Sequence, residues 1–312
     1  MKTVLVTLSL IMSLSLLFSC SKPDQEITPP TQPPLQGLSC EICYFNSKSM
    51  RVFELTTMKY DGSDSRIILK DSSTNTDVFY EWAKWSFDKN KIIFSGRKHG
   101  DSLTEIFIIN KDGTGLRQVT NTPSTLEAYP GLSPNGQLIV YVAQDQLGNS
   151  QLYTCDINGG NVHQVTKFSV TYRKLFCLRP IWSSDGTTIY FNSNKDTTAF
   201  NIYSIKSDGS NLKRITTNTV ASDWGPNISM DGMKIVFYSA INSIPYIFTV
   251  NTDGTNRKQL TTFFSGDPVW SPDGNYVAFM SNKDKPANDW AQGQDIYTIK
   301  ADGTELTHID WK

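Results

Sequence analysis

The stretch WSPDGNYVAFM, residues 270–280, joins a tryptophan and a Ser-Pro-Asp-Gly turn to an apolar run of strand length. Two more strand-like runs follow in DIYTIKADGTELTHI, residues 295–309, on either side of an Asp-Gly turn. Glycine accepts the positive φ of a tight hairpin, and Asp favours the turn position before it. The unit therefore predicts four antiparallel strands, named a to d, with turns between a and b and between c and d.

This unit recurs along almost the whole chain with a period of 42 to 51 residues. The serines of the a–b turns are Ser86, Ser133, Ser183, Ser229 and Ser271, and the glycines of the c–d turns are Gly62, Gly113, Gly160, Gly209, Gly254 and Gly303. A repeat of this length with four strand-like runs is one blade of a β-propeller. The sequence therefore predicts an all-β fold, a six-bladed β-propeller of four-stranded blades, with no amphipathic helix.

The repeats resemble the TolB-like propeller family, whose units read Trp-Ser-Pro-Asp-Gly, Ile-x-Phe-x-Ser, Ile-Tyr and Asp-Gly-Thr-Asn. The resemblance covers residues 42–310 and is specific for the fold, while it says little about function. It implies protein partners, because the propeller of TolB docks envelope proteins that include a peptidoglycan-associated lipoprotein. TolB carries a separate domain before its propeller that this sequence does not show, so we do not expect a full Tol transport role.

The first repeat departs from the others. CYFNS at residues 43–47 matches IYFNS at residues 189–193, which assigns it to strand b. Its strand a would fall near residues 35–38, where no Trp-Ser-Pro-Asp-Gly stands. Either this degenerate segment supplies the strand, or the chain closes by a different route.

The N-terminal residues predict that the protein is located in the bacterial cell envelope. A basic start and an apolar run to Phe18 form a secretory signal over residues 1–19, and Ser19-Cys20 ends it like a bacterial lipobox. We expect Cys20 to be lipidated, residues 20–36 to be a proline-rich tether and residues 37–312 to be the propeller. Ser21 and Lys22 follow Cys20 without an acidic residue directly beside it. By resemblance to enterobacterial lipoproteins, this favours the outer membrane, facing the periplasm or the surface. The alternative is an ordinary signal with an incidental cysteine.

Composition argues against several classes of function. The formal net charge is −1, from 29 basic and 30 acidic residues, so no basic field exists to attract nucleic acid or an anionic membrane surface. The histidines, at positions 99, 163 and 308, form no zinc-ligand spacing. We expect no metal, no cofactor and no catalytic triad. Cys40 and Cys43, or Cys155 and Cys177, could each form a disulfide in an exported protein.

The predicted topology points to one working face. Both glycine turns fall on one face, while the variable b–c loops and the d-to-a crossovers fall on the other, where binding is usually found. The position four residues before each repeat serine lies at the mouth of the channel. We expect a ligand or partner to contact residues at or near this mouth and in the loop at residues 282–294: Trp82, Tyr129, Arg179, Asp223, Trp224, Asp267 and Trp290.

These observations favour a cell-envelope lipoprotein whose propeller is a protein-binding or scaffold module, and they make an enzyme the weaker interpretation. One alternative is a surface glycan-binding protein, in which Trp82, Trp224, Trp290 and Tyr129 would stack on sugars. Another is a glycan-active lyase or hydrolase with its site at the channel mouth. The repeat also resembles oligogalacturonate lyase, but that enzyme uses histidines and a metal at its channel, and the scattered histidines of this chain do not match.

Overall fold

A computed structural model describes residues 41–49, 52–59, 64–70, 79–98, 103–122, 124–145, 147–169, 173–271, 273–285 and 295–309. Regular structure in these residues is β-strand throughout. The predicted signal, Cys20, the tether, Cys40, His99 and Trp290 lie outside the described residues. No helix in the described part of the chain is long and apolar enough to cross a membrane.

The strands form six small antiparallel sheets in a propeller arrangement. The first holds β1 (Glu41–Ser49), β2 (Val52–Lys59) and β3 (Arg66–Lys70). The second holds β4 (Phe79–Trp85), β5 (Lys91–Arg97), β6 (Glu105–Asn110) and β7 (Arg117–Gln118). The third holds β8 (Leu126–Leu132), β9 (Leu138–Gln144), β10 (Ser150–Asp156) and β11 (His163–Gln164).

The remaining three sheets repeat the same order. The fourth holds β12 (Cys177–Trp182), β13 (Thr188–Ser193), β14 (Asn201–Lys206) and β15 (Lys213–Arg214). The fifth holds β16 (Ser222–Ile228), β17 (Lys234–Ile241), β18 (Ile244–Asn251) and β19 (Lys258–Gln259). The sixth holds β20 (Gly266–Trp270), β21 (Tyr276–Ser281), β22 (Asp295–Lys300) and β23 (Thr307–Ile309).

The prediction of six four-stranded blades is therefore only partly right. The described residues form five four-stranded sheets and one sheet of three strands. The three-stranded sheet begins at β1, which contains the segment at residues 43–47 that the sequence assigned to strand b, and the segment expected to supply strand a lies outside the described residues. β1 packs against β4 in the same way that β5 packs against β8, the inner strand of the next sheet.

The core lies between neighbouring sheets, which explains why the strands read as continuous apolar runs. In β5, Ile92 and Phe94 pack toward the first sheet, while Ile93 packs toward the third. Five such clusters separate the six sheets in sequence order. The second and third strands of each four-stranded sheet also carry a directly opposed, stacked aromatic pair, such as Phe237 and Phe248 at 5.9 Å between centroids.

The repeat serines build the a–b turns. Each serine hydroxyl donates to the Asp or Asn two residues later, at 2.5 to 2.7 Å, and accepts from the backbone N–H five residues later. Ser133 and Asn135 follow this pattern at 2.7 Å. The turn residues are therefore engaged in fixing the hairpin.

The two sets of turns lie together on one face, which we call the turn face. The backbone N–H of Lys111, at a c–d turn, donates to Asn90 O at the a–b turn of its sheet, at 2.9 Å, and the corresponding bond recurs in the other four-stranded sheets. The prediction of a shared face is thus confirmed for these sheets. In the third sheet the left-handed turn glycine is Gly159, with φ 87°, so the sequence assignment of Gly160 to this position was wrong by one residue.

The buried cysteines Cys155 and Cys177 are free, so the disulfide considered between them does not form. They lie in different clusters of the core, on opposite sides of the third sheet. Nothing is described of the Cys43 side chain. His163 and His308 lie on the outer strands β11 and β23.

Candidate functional site

Each inner strand of the five four-stranded sheets is interrupted by a bulge, where its pairing with the second strand shifts register. One residue in every bulge has a left-handed backbone, with φ between 45° and 62°. These residues are Trp82, Tyr129, Arg179, Gly225 and Asp267, the positions four before the repeat serines. Four of the five carry a side chain, and this conformation is unfavourable for bulky residues. The inner strands therefore hold local strain at one level of the axis.

The side chains at this level converge on Arg179. Its guanidinium carbon lies 5.0 Å from the ring centroid of Trp82 and 5.9 Å from that of Tyr238. Its Nη1 lies 2.9 Å from Oδ1 of Asp267. The rings of Trp82 and Tyr129 contact each other at 4.3 Å between centroids. We call Trp82, Tyr129, Arg179, Tyr238 and Asp267 the axial cluster.

Gly225 makes room for this cluster. A Cβ atom added there would lie 3.2 Å from Nη1 of Arg179 and 3.3 Å from Cε1 of Tyr238. Sequence reasoning missed Tyr238 because that residue stands on a second strand, outside the repeated inner-strand position. Gly225 was the available signal for a ring at this place. It is the one residue without a side chain among the five equivalent positions, and it leaves space for the ring of Tyr238.

The axial cluster holds a guanidinium, paired with the Asp267 carboxylate, beside neutral phenols. Burial lowers the pKa of Arg179, but Tyr238 and Asp267 outweigh it and hold that pKa above its usual value. Burial raises the pKa of Tyr129 to about 12, so this phenol keeps its proton at neutral pH. The cluster is mostly buried but reaches solvent, with 21% of the Arg179 side chain and 26% of the Asp267 side chain accessible. Such a surface can hold a polar or aromatic group of a partner through a cation and ring faces.

Two carboxyls, on the inner strands that carry Trp82 and Tyr129, have pKa values near 7. Burial raises the pKa of Glu81 to about 7, and a hydrogen bond with Trp82 partly opposes that rise. Burial also raises the pKa of Glu127 to about 7. Glu127 accepts a hydrogen bond from the Thr122 hydroxyl at 2.8 Å. Both carboxyls therefore gain protons between mildly basic and mildly acidic pH.

Two of the residues predicted at the mouth have other partners. The buried carboxylate of Asp223 accepts two hydrogen bonds from Arg257, at 2.9 and 3.0 Å, and one from Asn218, at 3.1 Å. The half-buried ring of Trp224 stacks on Phe200 at 4.0 Å between centroids. Asp223 is thus engaged inside its own sheet, and Trp224 belongs to a separate aromatic pair beside the axial cluster.

A cavity of about 190 Å³ lies on the other side of the axial cluster, toward the turn face. Its walls come from the last residues of the inner strands and from the a–b turns, including Lys84, Trp85, Trp182, Trp270 and Met230. Asp267, by contrast, is the second residue of its inner strand, near the end opposite the turn. We call this space the turn-side cavity.

The described residues contain no group of three or more His, Cys, Asp or Glu side chains that could hold a metal ion.

Comparison with known proteins identifies relatives of this architecture. Residues 52–246 match the family model described as the dipeptidyl peptidase IV (DPP IV) N-terminal region. An uncharacterized protein of Agrobacterium fabrum is 30% identical over 190 residues, which cover 56% of this chain and 61% of that protein. The TolB homolog of Chlorobium luteolum is 28% identical over 165 residues, which cover 52% of this chain and 34% of that protein.

A solved structure shows the same fold. The crystal structure of TolB from Acinetobacter baumannii superposes with a TM-score of 0.66 at 19% identity and covers 84% of this chain and 61% of its own. The matches thus span between 34% and 61% of the length of these three proteins.

Proposed function

Because the chain belongs to the dipeptidyl peptidase IV N-terminal region family and its repeats are those of a TolB-like propeller, we propose that it is a cell-envelope lipoprotein whose propeller docks a protein partner. The proteins named TolB among its relatives support a binding module at this level. The propeller would act as a scaffold, with its partner held at the mouth of the channel on the face opposite the turns.

The observation that carries this proposal is the strained axial cluster. Four inner strands place Trp, Tyr, Arg and Asp side chains in left-handed backbone at one level, where the φ values lie between 45° and 58°. Strain of this kind is retained where the surrounding structure enforces it, and it gathers at ligand clamps and functional sites. Arg and aromatic residues are also the side chains that most often dominate protein interfaces.

We also propose that the three-stranded sheet is a sixth blade. Gly113, at a c–d turn of the second sheet, would place a Cβ atom 2.8 Å from the carbonyl oxygen of Ile68 in β3. Gly209 and Gly254 have the same 2.8 Å approach to the outer-strand regions of the sheets before them, at Val165 and Ile215. The match supports the assignment of β3 to strand d of a blade. Residues ahead of Glu41 would supply its inner strand.

The proposed localisation in the cell envelope is supported by the N-terminal sequence. Ser19-Cys20 ends an apolar signal and precedes a proline-rich tether, which supports a lipid anchor on Cys20 and a propeller held at the outer membrane. The tether would let the propeller reach a partner at some distance from the lipid, because proline-rich chains are extended.

A glycan-binding function is supported less well. A sugar needs an open aromatic ring face, and the rings of Trp82 and Tyr129 already contact each other. Arg179 lies over Trp82, and Trp224 is stacked on Phe200. Each of these rings therefore already contacts another side chain, which leaves less ring surface for a sugar. A glycan array probed with the full chain tests this alternative directly.

The proposal is tested by site-specific photo-crosslinking in intact cells. A photo-reactive phenylalanine analogue at Trp224 should crosslink to one discrete protein. The same analogue at Val162, an exposed residue two positions after the Gly160 of a c–d turn, provides the matched control on the turn face. A discrete product at Val162 together with none at Trp224 would reverse the assignment of faces, and no product at either site would remove the docking proposal.

A further inference from the structure

The turn-side cavity presents hydrogen-bond donors that lack acceptors. Trp85 and Trp270 line it and are 9% and 5% exposed, and neither indole Nε1 has a hydrogen-bond partner. Lys84 also lines the cavity, and its ammonium donates to the backbone oxygen of Pro180 at 3.0 Å. Buried donors of this kind are uncommon in native proteins, and each calls for an explanation.

The fold itself does not require these donors to stay unpaired. Trp182 stands at the same repeat position as the other two tryptophans, and its Nε1 donates to Gly131 O of the neighbouring inner strand at 3.1 Å. The same architecture can therefore satisfy an indole N–H within the protein. The residues that would face Trp85 in the same way precede Glu41 and lie outside the described part of the chain. The inner strand that faces Trp270 is β16, which is described and supplies no acceptor, so the N–H group of Trp270 remains available to a ligand.

The charged residues that line the cavity are positive, so they favour an anion, as the unpaired N–H groups do. Its described lining contains Lys84 and Lys89 and no Asp or Glu. Burial, together with a smaller effect of the nearby charge of Arg179, lowers the pKa of Lys84 to about 8. An ammonium held away from water without a carboxylate is unfavourable, and an anion brought beside it would offset that penalty.

The rest of the lining is apolar. Leu132, Ile181 and Val269 contribute buried or half-buried walls. Phe87 and Met230 lie at the turn face with 41% and 56% of their surface exposed, so the cavity meets solvent there. The volume of about 190 Å³ is below the roughly 300–1,000 Å³ of drug-sized sites. It suits one small group with an apolar body.

From this arrangement we propose that the turn-side cavity is a binding site for a carboxylate that carries a small apolar body, with the acid group held by Lys84 and Trp270. The site lies on the opposite side of the axial cluster from the channel mouth, so it is independent of the partner surface proposed above. The carboxylate can belong to a free organic acid or to the C-terminal residue of a peptide, since both present the same chemistry to the donors.

The experiment is calorimetric titration of the purified full chain with 3-phenylpropionate. Its amide, 3-phenylpropionamide, is the matched neutral probe. We expect the acid to bind at least about tenfold more tightly than the amide, because hydrogen bonds to a charged group exceed those to a neutral one by about this factor. Equal affinity of acid and amide, or no binding of either, overturns the proposal.

Variants assign the binding to this cavity. Lys84→Met should weaken binding of the acid about tenfold or more, and Trp270→Phe, which removes one N–H and keeps a ring, should weaken it a few-fold. Lys234→Met, an exposed lysine outside the cavity lining, is the control that should leave affinity unchanged. If Lys84→Met fails to fold, the acid–amide difference and Trp270→Phe still decide the question. Full affinity in both cavity variants contradicts the site.

A second pair of probes distinguishes the sources of the carboxylate. A short peptide ending in Phe with a free C-terminus is compared with the same peptide ending in an amide. Tighter binding of the free-acid peptide than of 3-phenylpropionate assigns the site to a chain terminus. Binding of 3-phenylpropionate with no binding of the peptide assigns it to a small acid, and both results support the cavity as a carboxylate site.

Discussion

Arg179 and Asp267 form an ion pair, with 2.9 Å between Nη1 and Oδ1, although they belong to inner strands two sheets apart. The same guanidinium lies over the rings of Trp82 and Tyr238. One side chain of the fourth sheet thus contacts the second, fifth and sixth sheets at the axis. This arrangement links the sheets at their closest approach, where a propeller would otherwise have an open channel.

The ion pair should contribute measurably to stability. Arg179→Met should lower the free energy of unfolding by about 2 kcal/mol, because hydrogen bonds to charged groups contribute about 1.5–3 kcal/mol and little of this pair is exposed. Denaturant melts of Arg179→Met, Asp267→Asn and the double variant give the coupling energy. A coupling near zero would show that the two residues are neighbours without a net interaction.

Gly254 is a point where the backbone tolerates no side chain. Its φ is 93°, and a Cβ atom would lie 2.8 Å from the backbone oxygen of Ile215 in the sheet before it. Gly254→Ala, and Gly254→Val more strongly, should lower the free energy of unfolding by about 1–3 kcal/mol. Gly266 is the control, since its added Cβ would meet nothing within 4 Å. Equal losses at both glycines in denaturant melts would contradict the structural explanation.

The sequence was sufficient for the propeller arrangement, although not for the strand count of the first sheet. The reason is that the repeat is defined by turns that form from local residues. The hydroxyl of Ser271 and the carboxylate of Asp273 form a local hydrogen bond at 2.6 Å that any chain with this motif can make. Apolar runs then fill the spaces between sheets. Where two glycines stand together, at Gly159 and Gly160, the sequence could not tell which one takes the left-handed position.

The site was harder to predict because its contacts depend on distant residues. Repeat spacing brought Trp82, Tyr129, Arg179 and Asp267 to one level of the axis, and the structure joins them. The same reasoning placed Asp223 at the mouth, but Arg257, 34 positions away, binds its carboxylate inside the sheet. Long-range partners of this kind leave no mark in the local pattern.

Glu127 should make stability depend on pH. Burial holds its folded pKa at about 7, above the ordinary value of 4.5, so the folded state binds this proton more tightly than the unfolded chain. Stability then falls as pH rises from about 4.5 through 7. Glu127→Gln keeps an oxygen that accepts the hydrogen bond from Thr122 and removes the charge. Between pH 5 and pH 8, the free energy of unfolding of this variant should therefore rise by about 1–3 kcal/mol relative to that of the parent.

The measurement for Glu127 is the melting temperature of parent and variant at several pH values. The exposed Glu305→Gln is the control. It removes one partner of a surface ion pair with Lys300, which should change the melting temperature little. A difference between Glu127→Gln and the parent that stays constant from pH 5 to pH 8 would show that this carboxyl does not titrate in the folded state in that range.

Cys20 should carry the lipid that addresses the protein to the envelope. The reason is the lipobox-like Ser19-Cys20 at the end of an apolar signal. Cells that express the parent should incorporate radioactive palmitate into the protein and retain it in the membrane fraction, whereas Cys20→Ala should lose both properties. Labelling of Cys20→Ala at the level of the parent would exclude this anchor.

Partner binding should depend on the axial cluster and on Trp224, and not on the turn face. Trp82→Ala and Trp224→Ala should each weaken binding of the crosslinked partner by about 1–3 kcal/mol, because truncation of an aromatic anchor removes the largest contacts of an interface. Asp112→Ala, at a c–d turn, should leave affinity unchanged. Trp82 also contacts Arg179 and Tyr129, so its loss should lower the melting temperature, whereas Trp224→Ala disturbs one stacked pair and should lower it less.

Affinity is measured by calorimetry with the purified partner, and each variant is first shown to be folded by its melting transition. If Asp112→Ala loses the partner while both tryptophan variants retain it, the functional surface is the turn face, and the strain at the axial cluster serves the fold alone.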